Sequence, residues 1–332
     1  MKNYDRREMP WHPGDARAPR VGLKDIRLRV GHCALDSTLG GYYQDITGAL
    51  ALVEGGYHGA FDEKGVPRNK LAGQWHYQSV VVAQYALALH DSLRSVETAD
   101  QRTTGERKLR TQLEALGQFI ETAGPRRGFA VVDWDDPKYP DLRAGWVSAM
   151  YQGNIVSALL RGWQHFGEDR WRDLAGLAFS VMGTPLSEDG VCVREPSPGG
   201  EDFWLEEYPM DPPSHVLNGY IYALWGVLDW ARVTGDATAW TWWRQGVETL
   251  KRRLPEYDCG YWSVYDLRFR ELASRYYQEN IHVPQMQAMH ALTGEAIFDK
   301  YAQRWAAQSR SVLCRARWAI MLRVNARLKK QR

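Results

Sequence analysis

Hydrophobic residues recur at three- and four-residue steps along most of the chain beyond residue 77. In residues 106–122, for example, Leu109, Leu113, Leu116 and Phe119 would share one face of an amphipathic helix, whereas residues 80–93 are nearly all apolar, as in a buried helix. The same periodicity predicts further helices over residues 149–166, 170–182, 214–233, 237–254, 282–292, 295–308 and 311–329. The pattern therefore predicts a mainly α fold.

A short motif repeats at the joints between these predicted helices. Gly167, Gly235 and Gly294 each follow a predicted helix, an acidic residue comes next, and a new helix with Trp or Phe begins. Glycine readily adopts the left-handed conformation that ends a helix, and an acidic residue is favourable at a helix N-terminus. Helical hairpins that recur in this way predict an α/α toroid, an incomplete barrel of hairpins, with a stacked solenoid as the alternative.

The beginning of the chain has a different pattern. It is rich in Gly and Pro, and short β-compatible segments at residues 26–30 and 42–46 lie between turn signals at Gly40-Gly41, Gly55-Gly56 and residues 65–67. We therefore divide the chain into an N-terminal arm with short β-hairpins, residues 1–75, and a helical domain, residues 76–332. A hairpin within residues 41–73 is a candidate to close a cleft in that domain.

Three long loops of the helical domain, residues 128–152, 190–215 and 257–282, are the expected place for chemistry, because loops held by packed helices commonly carry binding and catalytic groups. The chain also has 15 Trp and 17 Tyr residues. Such rings fill cores, and in clefts they also stack on the faces of sugars. Both uses can hold in one molecule.

Charge and cysteine content narrow the functional classes. A net charge of +2 argues against nucleic acid as the partner. Basic clusters at residues 251–253, 268–275 and 327–332 are either solvated helix faces or sites for an acidic polysaccharide. The four Cys residues lack metal-ligand spacing, so no metal site is predicted. The sequence has no run of ~20 apolar residues to span a membrane and no signal-peptide pattern, so we expect a cytoplasmic location.

Five sequence blocks resemble, in the same order, the catalytic domain of the D-glucuronyl C5-epimerase family. They are VAQYAL at 82–87, GWVSAMYQG at 145–153, EEYP at 206–209 with PSHVLNGYIYALWG at 213–226, LPEYDCG at 254–260 with VYDLR at 264–268, and HVPQ at 282–285. The resemblance implies an α/α toroid without a cofactor that inverts C5 of glucuronic acid in a heparosan-like chain. An acidic polysaccharide or oligosaccharide is then the expected partner, and a homodimer is compatible with the family.

The chemistry of such an inversion explains the residue types. Removing the weakly acidic C5 proton of a uronate adds negative charge to its carboxylate, so the enzyme needs a base, an acid on the opposite face and a cation or hydrogen-bond donors. The resemblance to the family gives the role of base to Glu207 and the binding of the sugar carboxylate to Arg268. It makes Tyr208 and Tyr265 either proton carriers or hydrogen-bond donors to the sugar carboxylate. Aromatic residues before Glu207 would raise the pKa of its carboxyl group.

The segment before the last block departs from the family pattern. Family members have a Tyr-His pair there, and counting back from His282 puts Gln278 where that tyrosine is expected. Tyr276 and Tyr277 come one or two residues early. A small shift of the loop would bring Tyr277 into place as the second catalytic tyrosine.

Further residues of the motifs are candidates for contact with the sugar. They are Tyr276, Gln278, His282, Asn218, Trp146, Gln152, Gln84 and Tyr77. Structural alternatives stand beside these roles: Asn218 could brace a helix, Arg268 could pair with Asp266 or Glu271, and the acids at positions 206 and 207 could be surface residues.

Other functions share parts of this pattern. A polysaccharide lyase makes the same C5 carbanion and then expels the C4 oxygen, and a non-catalytic protein could keep the cleft only to bind uronate glycans. A glycoside hydrolase on a helical fold needs two carboxylates, with Asp133, Asp135 or Asp266 as partners of Glu207. We rank the hydrolase lowest.

Overall fold

The computed structural model describes residues 26–55, 59–71 and 73–331, with side chains described up to residue 325. The strands are β1 (Arg29–Val30), β2 (Gln44–Asp45), β3 (Ala60–Phe61), β4 (Pro67–Leu71), β5 (Gln74–His76), β6 (Cys192–Ser197) and β7 (Gly200–Leu205). The helices are α1 (Leu50–Glu54), α2 (Ser79–Leu93), α3 (Ala99–Phe119), α4 (Ala149–Phe166), α5 (Asp169–Ser180), α6 (Leu217–Thr234), α7 (Ala237–Arg253), α8 (Arg275–Tyr277), α9 (Val283–Thr293), α10 (Ala296–Arg310) and α11 (Val312–Gln331).

The predicted mainly α fold and its toroidal arrangement are confirmed. In the described part of the chain, helices pack as consecutive hairpins, α2 with α3, α4 with α5, α6 with α7, and α9 with α10. The first helix of each hairpin lies inside, since α4 packs against both α2 and α6, and α6 contacts the segment that leads into α9. The ring is not a closed barrel. The arm contacts both α9 and α2, the two ends of the inner row.

The predicted helix ends at the repeated motif are confirmed as well. Gly167, Gly235 and Gly294 have φ values of 70°, 73° and 72°, the left-handed conformation in which glycine carries no side-chain penalty. Each donates its backbone N–H to a carbonyl of the helix that it ends. The hairpins of the ring therefore turn where the sequence indicated.

Two glycines of the motif blocks let the central inner helices approach closely. A Cβ atom at Gly226 of α6 would lie 2.4 Å from the Cα of Gly153 in α4, and one at Gly153 would lie 2.6 Å from the Cα of Ala223. No side chain fits at such distances. The α4–α6 pair is thus fixed at the closest approach that backbones allow, and both helices begin next to the loops that carry the candidate site.

The main differences from the prediction are one helix start and one hairpin. Helix α3 begins at Ala99 rather than near residue 106, because Thr98 caps it by accepting a hydrogen bond from the Gln101 N–H at 3.3 Å, although its first turns are polar and exposed. The second loop contains the unpredicted hairpin β6–β7. Phe203, Trp204 and Leu205 of β7 are all buried, so the alternation typical of a strand is absent.

The arm is joined to the helices by buried polar contacts. The Tyr43 hydroxyl donates to Asp229 Oδ1 at 2.6 Å, Arg161 Nη1 donates to Asp229 Oδ2 at 2.6 Å, and Arg232 Nη1 donates to the Tyr43 hydroxyl at 2.8 Å. Its apolar residues share the main core of the helices. Residues 1–25 of the predicted arm, Gly56 of the second turn signal and the side chains of the basic cluster at 327–332 lie outside the described residues.

No helix among the described residues combines the length and the apolar composition needed to cross a bilayer.

Candidate active site

The three long loops meet at one end of the inner helices. Tyr139 and Trp146 of the first loop pack on Tyr208 of the second, with ring centroids 4.6 and 5.8 Å apart. The Tyr265 hydroxyl of the third loop donates a hydrogen bond to Glu207 Oε1 of the second at 3.2 Å. The structure therefore brings three of the four predicted catalytic residues into one cluster.

Glu207 is held between a strand end and a helix start. It follows the hairpin strand β7, and the carbonyl of the preceding Glu206 accepts a hydrogen bond from the Ala149 N–H at 2.9 Å, at the start of α4. On the other side its carboxyl group lies against Gly219 in the first turn of α6, where a Cβ atom would come within 2.2 Å of Oε2. Gly219 of the VLNG motif thus leaves the space that the Glu207 carboxyl group occupies.

The environment of Glu207 changes its acidity. Burial raises the pKa of this carboxyl group to about 7, and hydrogen bonds from Tyr208 and Tyr265 and the positive charge of Lys138 oppose only part of that rise. Oε2 is buried and accepts no hydrogen bond from the described residues. A carboxylate with this pKa is present in its basic form near neutral pH and binds a proton strongly enough to act as a general base.

The tyrosines around it are proton donors. Burial, and next the charge of Glu207, raise the pKa values of Tyr208 and Tyr265 well above the ordinary value of 10. Both hydroxyls therefore stay protonated at neutral pH. The cluster joins one group that can take a proton to others that can give one.

Tyr277 completes the cluster because of an irregular helix. Residues 278–282 form one π-helical turn, here called the π-turn, between α8 and α9. A π-turn holds one residue more than an α-helical turn, so it shifts the residues before it by one position relative to α9. Tyr277 consequently packs edge-on against Tyr265, with centroids 5.4 Å apart at 85°.

Gln278, predicted as a sugar contact by counting, is a brace instead. Its side chain is fully buried, its Oε1 accepts from the Ser263 N–H at 2.8 Å, and its Nε2 donates to the Trp305 carbonyl at 3.1 Å. Its amide group therefore holds the third loop to α10. The prediction was wrong because a residue count along a regular helix does not include the extra residue of the π-turn.

The arm fixes the π-turn through residues that sequence analysis missed. Gln44 Nε2 donates to the carbonyl of Asn280 at 2.5 Å, and the Leu28 N–H donates to Asn280 Oδ1 at 3.1 Å. The Tyr222 hydroxyl of α6 in turn donates to Gln44 Oε1 at 2.5 Å. Gln44 thereby ties the segment behind Tyr277 to both the arm and an inner helix.

Two cations lie near the tyrosines. Arg268, predicted to bind the sugar carboxylate, donates from Nη1 to the Pro212 carbonyl and lies over the Phe269 ring at 5.0 Å. Lys138, which was not predicted, places Nζ 4.9 Å from the centroid of the Tyr265 ring and 2.9 Å from Glu271 Oε2. No motif contains Lys138, and its acidic sequence surroundings gave no signal.

Some of the other predicted residues line the site with aromatic rings, and others only hold its loops in place. Trp146 forms part of an aromatic wall with Trp134, Tyr139, Tyr151 and Tyr208. Leu71 of the β4–β5 hairpin packs on this wall, and the His76 ring lies 5.3 Å from Trp134. This hairpin begins within residues 41–73 but ends at His76, and its closing of a cleft stays a prediction. Tyr276 is half-buried and contacts Tyr277, with centroids 6.3 Å apart.

Gln152 only holds a loop in place, and its predicted sugar contact was wrong. Its fully buried amide accepts from the Ala130 N–H at 2.7 Å and donates to the carbonyls of Gly128 and Ala178 at 3.0 and 2.9 Å. Tyr77 also points elsewhere, since its hydroxyl donates to Asp62 Oδ2 at 2.9 Å and its ring lies on Phe119.

Three further predicted residues, His282, Asn218 and Gln84, lie outside the group formed by Glu207 and the tyrosines. His282 is fully buried, its Nδ1 is 2.9 Å from the Ser263 hydroxyl, and burial lowers the pKa of its imidazole to about 3, so the ring is neutral. Asn218 precedes Gly219, and its carbonyl accepts from Gln285 Nε2 at 3.1 Å. Gln84 is half-buried on α2.

Glu206 is not a surface acid. Its Oε2 accepts from the Ser214 and His215 N–H groups at 3.1 and 3.0 Å, and its Oε1 lies 2.7 Å from His215 Nδ1. Burial lowers the pKa of His215, but the hydrogen bond and charge of Glu206, together with the charge of Glu195, outweigh burial and raise this pKa above its ordinary value. Glu206 therefore fixes the loop that presents Glu207.

Known proteins share sequence with about half of this chain. An uncharacterized protein of Methanocaldococcus jannaschii is 30% identical over 173 residues, which are 52% of this chain and 55% of that protein. The D-glucuronyl C5-epimerase of Caenorhabditis elegans is 33% identical over 184 residues, 49% of this chain and 29% of that protein. The chain thus spans about half, or less, of the length of these relatives.

A solved structure, the GH76A alpha-1,6-mannanase from Salegentibacter sp. HEL1_6, superposes with a TM-score of 0.48 at 12% identity, over 78% of this chain and 68% of that one. The sequence profile described as D-glucuronyl C5-epimerase C-terminus matches residues 130–307, more than half of the chain and all three loops of the site. The chain belongs to the family of D-glucuronyl C5-epimerase C-terminal domains.

Proposed function

We propose that this protein inverts C5 of uronic acid residues in an acidic glycan, converting D-glucuronic acid to L-iduronic acid. The observation that carries the proposal is the contact of Glu207, whose pKa is raised to about 7, with the protonated Tyr265, which in turn packs on Tyr277. A base and two acids then face one aromatic-walled space. Membership of the epimerase family supports the same reaction class.

The proposed reaction has two proton transfers. The C5–H bond breaks, its electron pair enters the enediolate, and the proton goes to the Glu207 carboxylate. Tyr277 then donates its hydroxyl proton to the opposite face of C5, which restores the carboxylate of the sugar with inverted configuration. The proton on Glu207 returns to the tyrosinate through the Tyr265 hydroxyl, which is already hydrogen-bonded to Glu207.

Lys138 and Arg268 would stabilise the enediolate. The Lys138 ammonium group lies on the Tyr265 ring, next to the proposed base, and is the nearer of the two to the described cluster. Arg268 would join by leaving or sharing the Pro212 carbonyl. A donor placed where negative charge develops contributes about 3–4 kcal/mol to lowering a barrier, so either residue is expected to affect turnover.

The aromatic wall would serve binding and catalysis together. Trp134 and Trp146 offer flat apolar faces, on which the C–H face of a sugar ring can stack. Excluding water from this wall also keeps the pKa of Glu207 high, because burial is the largest cause of its shift. The same surface thus binds the substrate and adjusts the base.

Proton NMR of heparosan and other uronate glycans in deuterated water tests the proposal. We expect deuterium at C5 and new iduronate signals, with chain length unchanged. Glu207→Gln should abolish both signals, whereas Glu188→Gln, an exposed glutamate on a distant turn, should keep them.

Other outcomes would identify other functions. Near-ultraviolet absorption from an unsaturated product would indicate a lyase, and binding of uronate oligosaccharides without exchange would indicate a glycan-binding protein. New reducing ends without exchange or unsaturation would indicate a hydrolase. Each of these results, or full activity of Glu207→Gln, would contradict the epimerase proposal.

A further inference from the structure

The last described helix, α11, has apolar residues on two faces, one packed on the protein and one exposed. Its inner face packs on a small cluster formed by Tyr261, Trp262 and Ala273: the Trp318 ring stacks on Trp262 at 5.2 Å, and Trp318 Nε1 donates to the Ala273 carbonyl at 3.0 Å. This face is an ordinary intramolecular contact. It fixes the orientation of the helix and therefore determines which residues point outward.

The outer face of α11 is apolar where a solvent-facing helix would be polar. Leu313 is 82% exposed, Ile320 58% and Val324 38%, at a spacing of seven and four residues that places them in one row. Arg317 lies in the same row and Arg323 lies on its flank, and both side chains are exposed. We call this row the outer stripe.

The segment that carries the outer stripe has ionic side chains of one sign only. Residues 300–332 contain ten Lys or Arg residues and no Asp or Glu. Among the described residues, Arg317 and Arg323 form no ion pair with an acid; Arg317 lies over the Tyr261 ring at 4.3 Å. A partner for this surface must therefore supply negative charge together with an apolar layer.

We infer that the outer stripe binds the surface of a membrane rich in anionic phospholipids. A helix of this kind lies in the plane of the interface, with Leu and Ile side chains among the acyl chains and Arg side chains at the phosphates. The long arginine stems can cover apolar surface while their charges reach the headgroups. Both unusual features of the stripe are then satisfied by one partner.

Two other occupants fit less well. A second copy of the chain, paired through the same stripe around a two-fold axis, would place its arginines against those of its partner and would leave like charges without compensation. A soluble acidic polysaccharide would satisfy the arginines, but its hydroxylated chain would gain little from exposed Leu and Ile. Of these three occupants, the membrane surface alone uses the charges and the apolar groups together.

The location relates the stripe to the candidate site. Tyr277 packs against the same small cluster that receives Trp318 and Met321 from the inner face of α11. Membrane binding would therefore hold the protein with this side of the ring close to the bilayer. The inference itself does not rest on the proposed reaction, and its test does not use activity.

Co-sedimentation of the full chain with vesicles tests the inference. We expect binding to vesicles of phosphatidylcholine and phosphatidylglycerol in equal amounts, weak binding to pure phosphatidylcholine, and a steep decrease with salt. The double variant Leu313→Gln/Ile320→Gln should weaken binding about 100-fold. Arg317→Gln/Arg323→Gln should weaken it about tenfold to thirtyfold.

Matched controls use exposed residues elsewhere. Leu35→Gln removes a 49%-exposed leucine of the arm, and Arg102→Gln removes an exposed arginine of α3; both should bind vesicles like the wild type. Thermal unfolding of every variant should match the wild type, because substitutions of exposed residues rarely change stability.

Four results would overturn the inference. They are failure of the wild type to bind anionic vesicles, equal binding by Leu313→Gln/Ile320→Gln, and a wild-type dimer that this double variant converts to a monomer, which would assign the stripe to a second copy. The fourth is an equal loss of affinity of the double variant for soluble heparosan, which would assign the stripe to the glycan.

Discussion

Two buried carboxylates illustrate how differently this fold treats charge. Asp229, where the arm meets α4 and α6, has both oxygens bonded, Oδ1 to the Tyr43 hydroxyl and Oδ2 to Arg161. Glu207, in the candidate site, has one oxygen bonded to Tyr265 and the other without a hydrogen bond from the described residues. Both side chains are almost fully buried.

The difference separates structural polar groups from reactive ones. A buried charge that is paired and fully hydrogen-bonded stays ionised and holds two segments in a fixed arrangement. A buried carboxyl group without that compensation exchanges protons near neutral pH, and such perturbed groups concentrate at functional sites. Glu206 makes the same point beside Glu207, because its bonds to Ser214 and His215 leave it no free role.

The largest expected effect lies on the reactive side of this comparison. Tyr277→Phe removes the proposed proton donor, and C5 exchange should fall by about 10²- to 10⁴-fold, the usual contribution of general acid catalysis. The neighbouring Tyr276→Phe is the matched control and should lose far less. Exchange assays of both variants check this order, and equal losses would show that the π-turn does not select Tyr277.

On the structural side, Asp229→Asn should destabilise the fold by about 3–5 kcal/mol, because it leaves Arg161 buried without its counter-charge. Asp173→Asn, which breaks an exposed pair with Arg172, should cost less than about 1 kcal/mol. Urea unfolding measures both. A small change in Asp229→Asn would contradict the role given to this buried ion pair.

Glu207→Gln should behave in the opposite way and stabilise the fold above pH 7. The pKa of Glu207 is about 7 in the folded protein and 4.5 ordinarily, so the unfolded chain ionises first and folding loses stability as pH rises between these values. Removing the charge should recover up to ~3 kcal/mol above pH 7 and nothing below pH 4.5. Urea unfolding at both pH limits checks the sign, and a pH-independent change would contradict the raised pKa.

The smallest effect is expected for Gln44, which connects the N-terminal arm to the π-turn behind Tyr277. Gln44→Ala should lower kcat about tenfold with little change in KM, since the π-turn loses the bond that holds it and Tyr277 is misplaced. Gln112→Ala removes a similar buried amide, bonded to the Gly65 carbonyl, and should lower stability alone, by about 1–3 kcal/mol. Steady-state kinetics and urea unfolding separate a positioning role from a merely structural one.

Periodicity predicted most helices because their inner faces are apolar along their whole length. Helix α4 has the predicted bounds, since Ser148 and Gly167 mark its two ends in the sequence. The β6–β7 hairpin was not predictable in this way, because β7 ends in a run of residues buried on both faces. The start of α3 was not predictable from periodicity either, because its first turns are polar and exposed and so show no apolar face.

Motifs identified Glu207, Tyr208 and Tyr265, which the structure places together, but they could not separate contact from support. Gln152 belongs to one of the motif blocks and Gln278 lies just before another, and both only hold loops. Gln44 escaped notice because its partner Asn280 is 236 positions away, and nothing local to either residue indicates the bond. Distant pairs of this kind form only when the arm packs against the inner helices in the folded protein.

The π-turn also has a consequence for how such a site can be lost. Deleting a single amino acid between residues 278 and 282 would convert the segment to a regular α-helix and rotate everything before it by about 100° around the helix axis. Every conserved-looking motif would survive that deletion, yet the Tyr277 side chain would swing out of the cleft. The loss of one codon, with every catalytic residue still present, would then make the protein inactive.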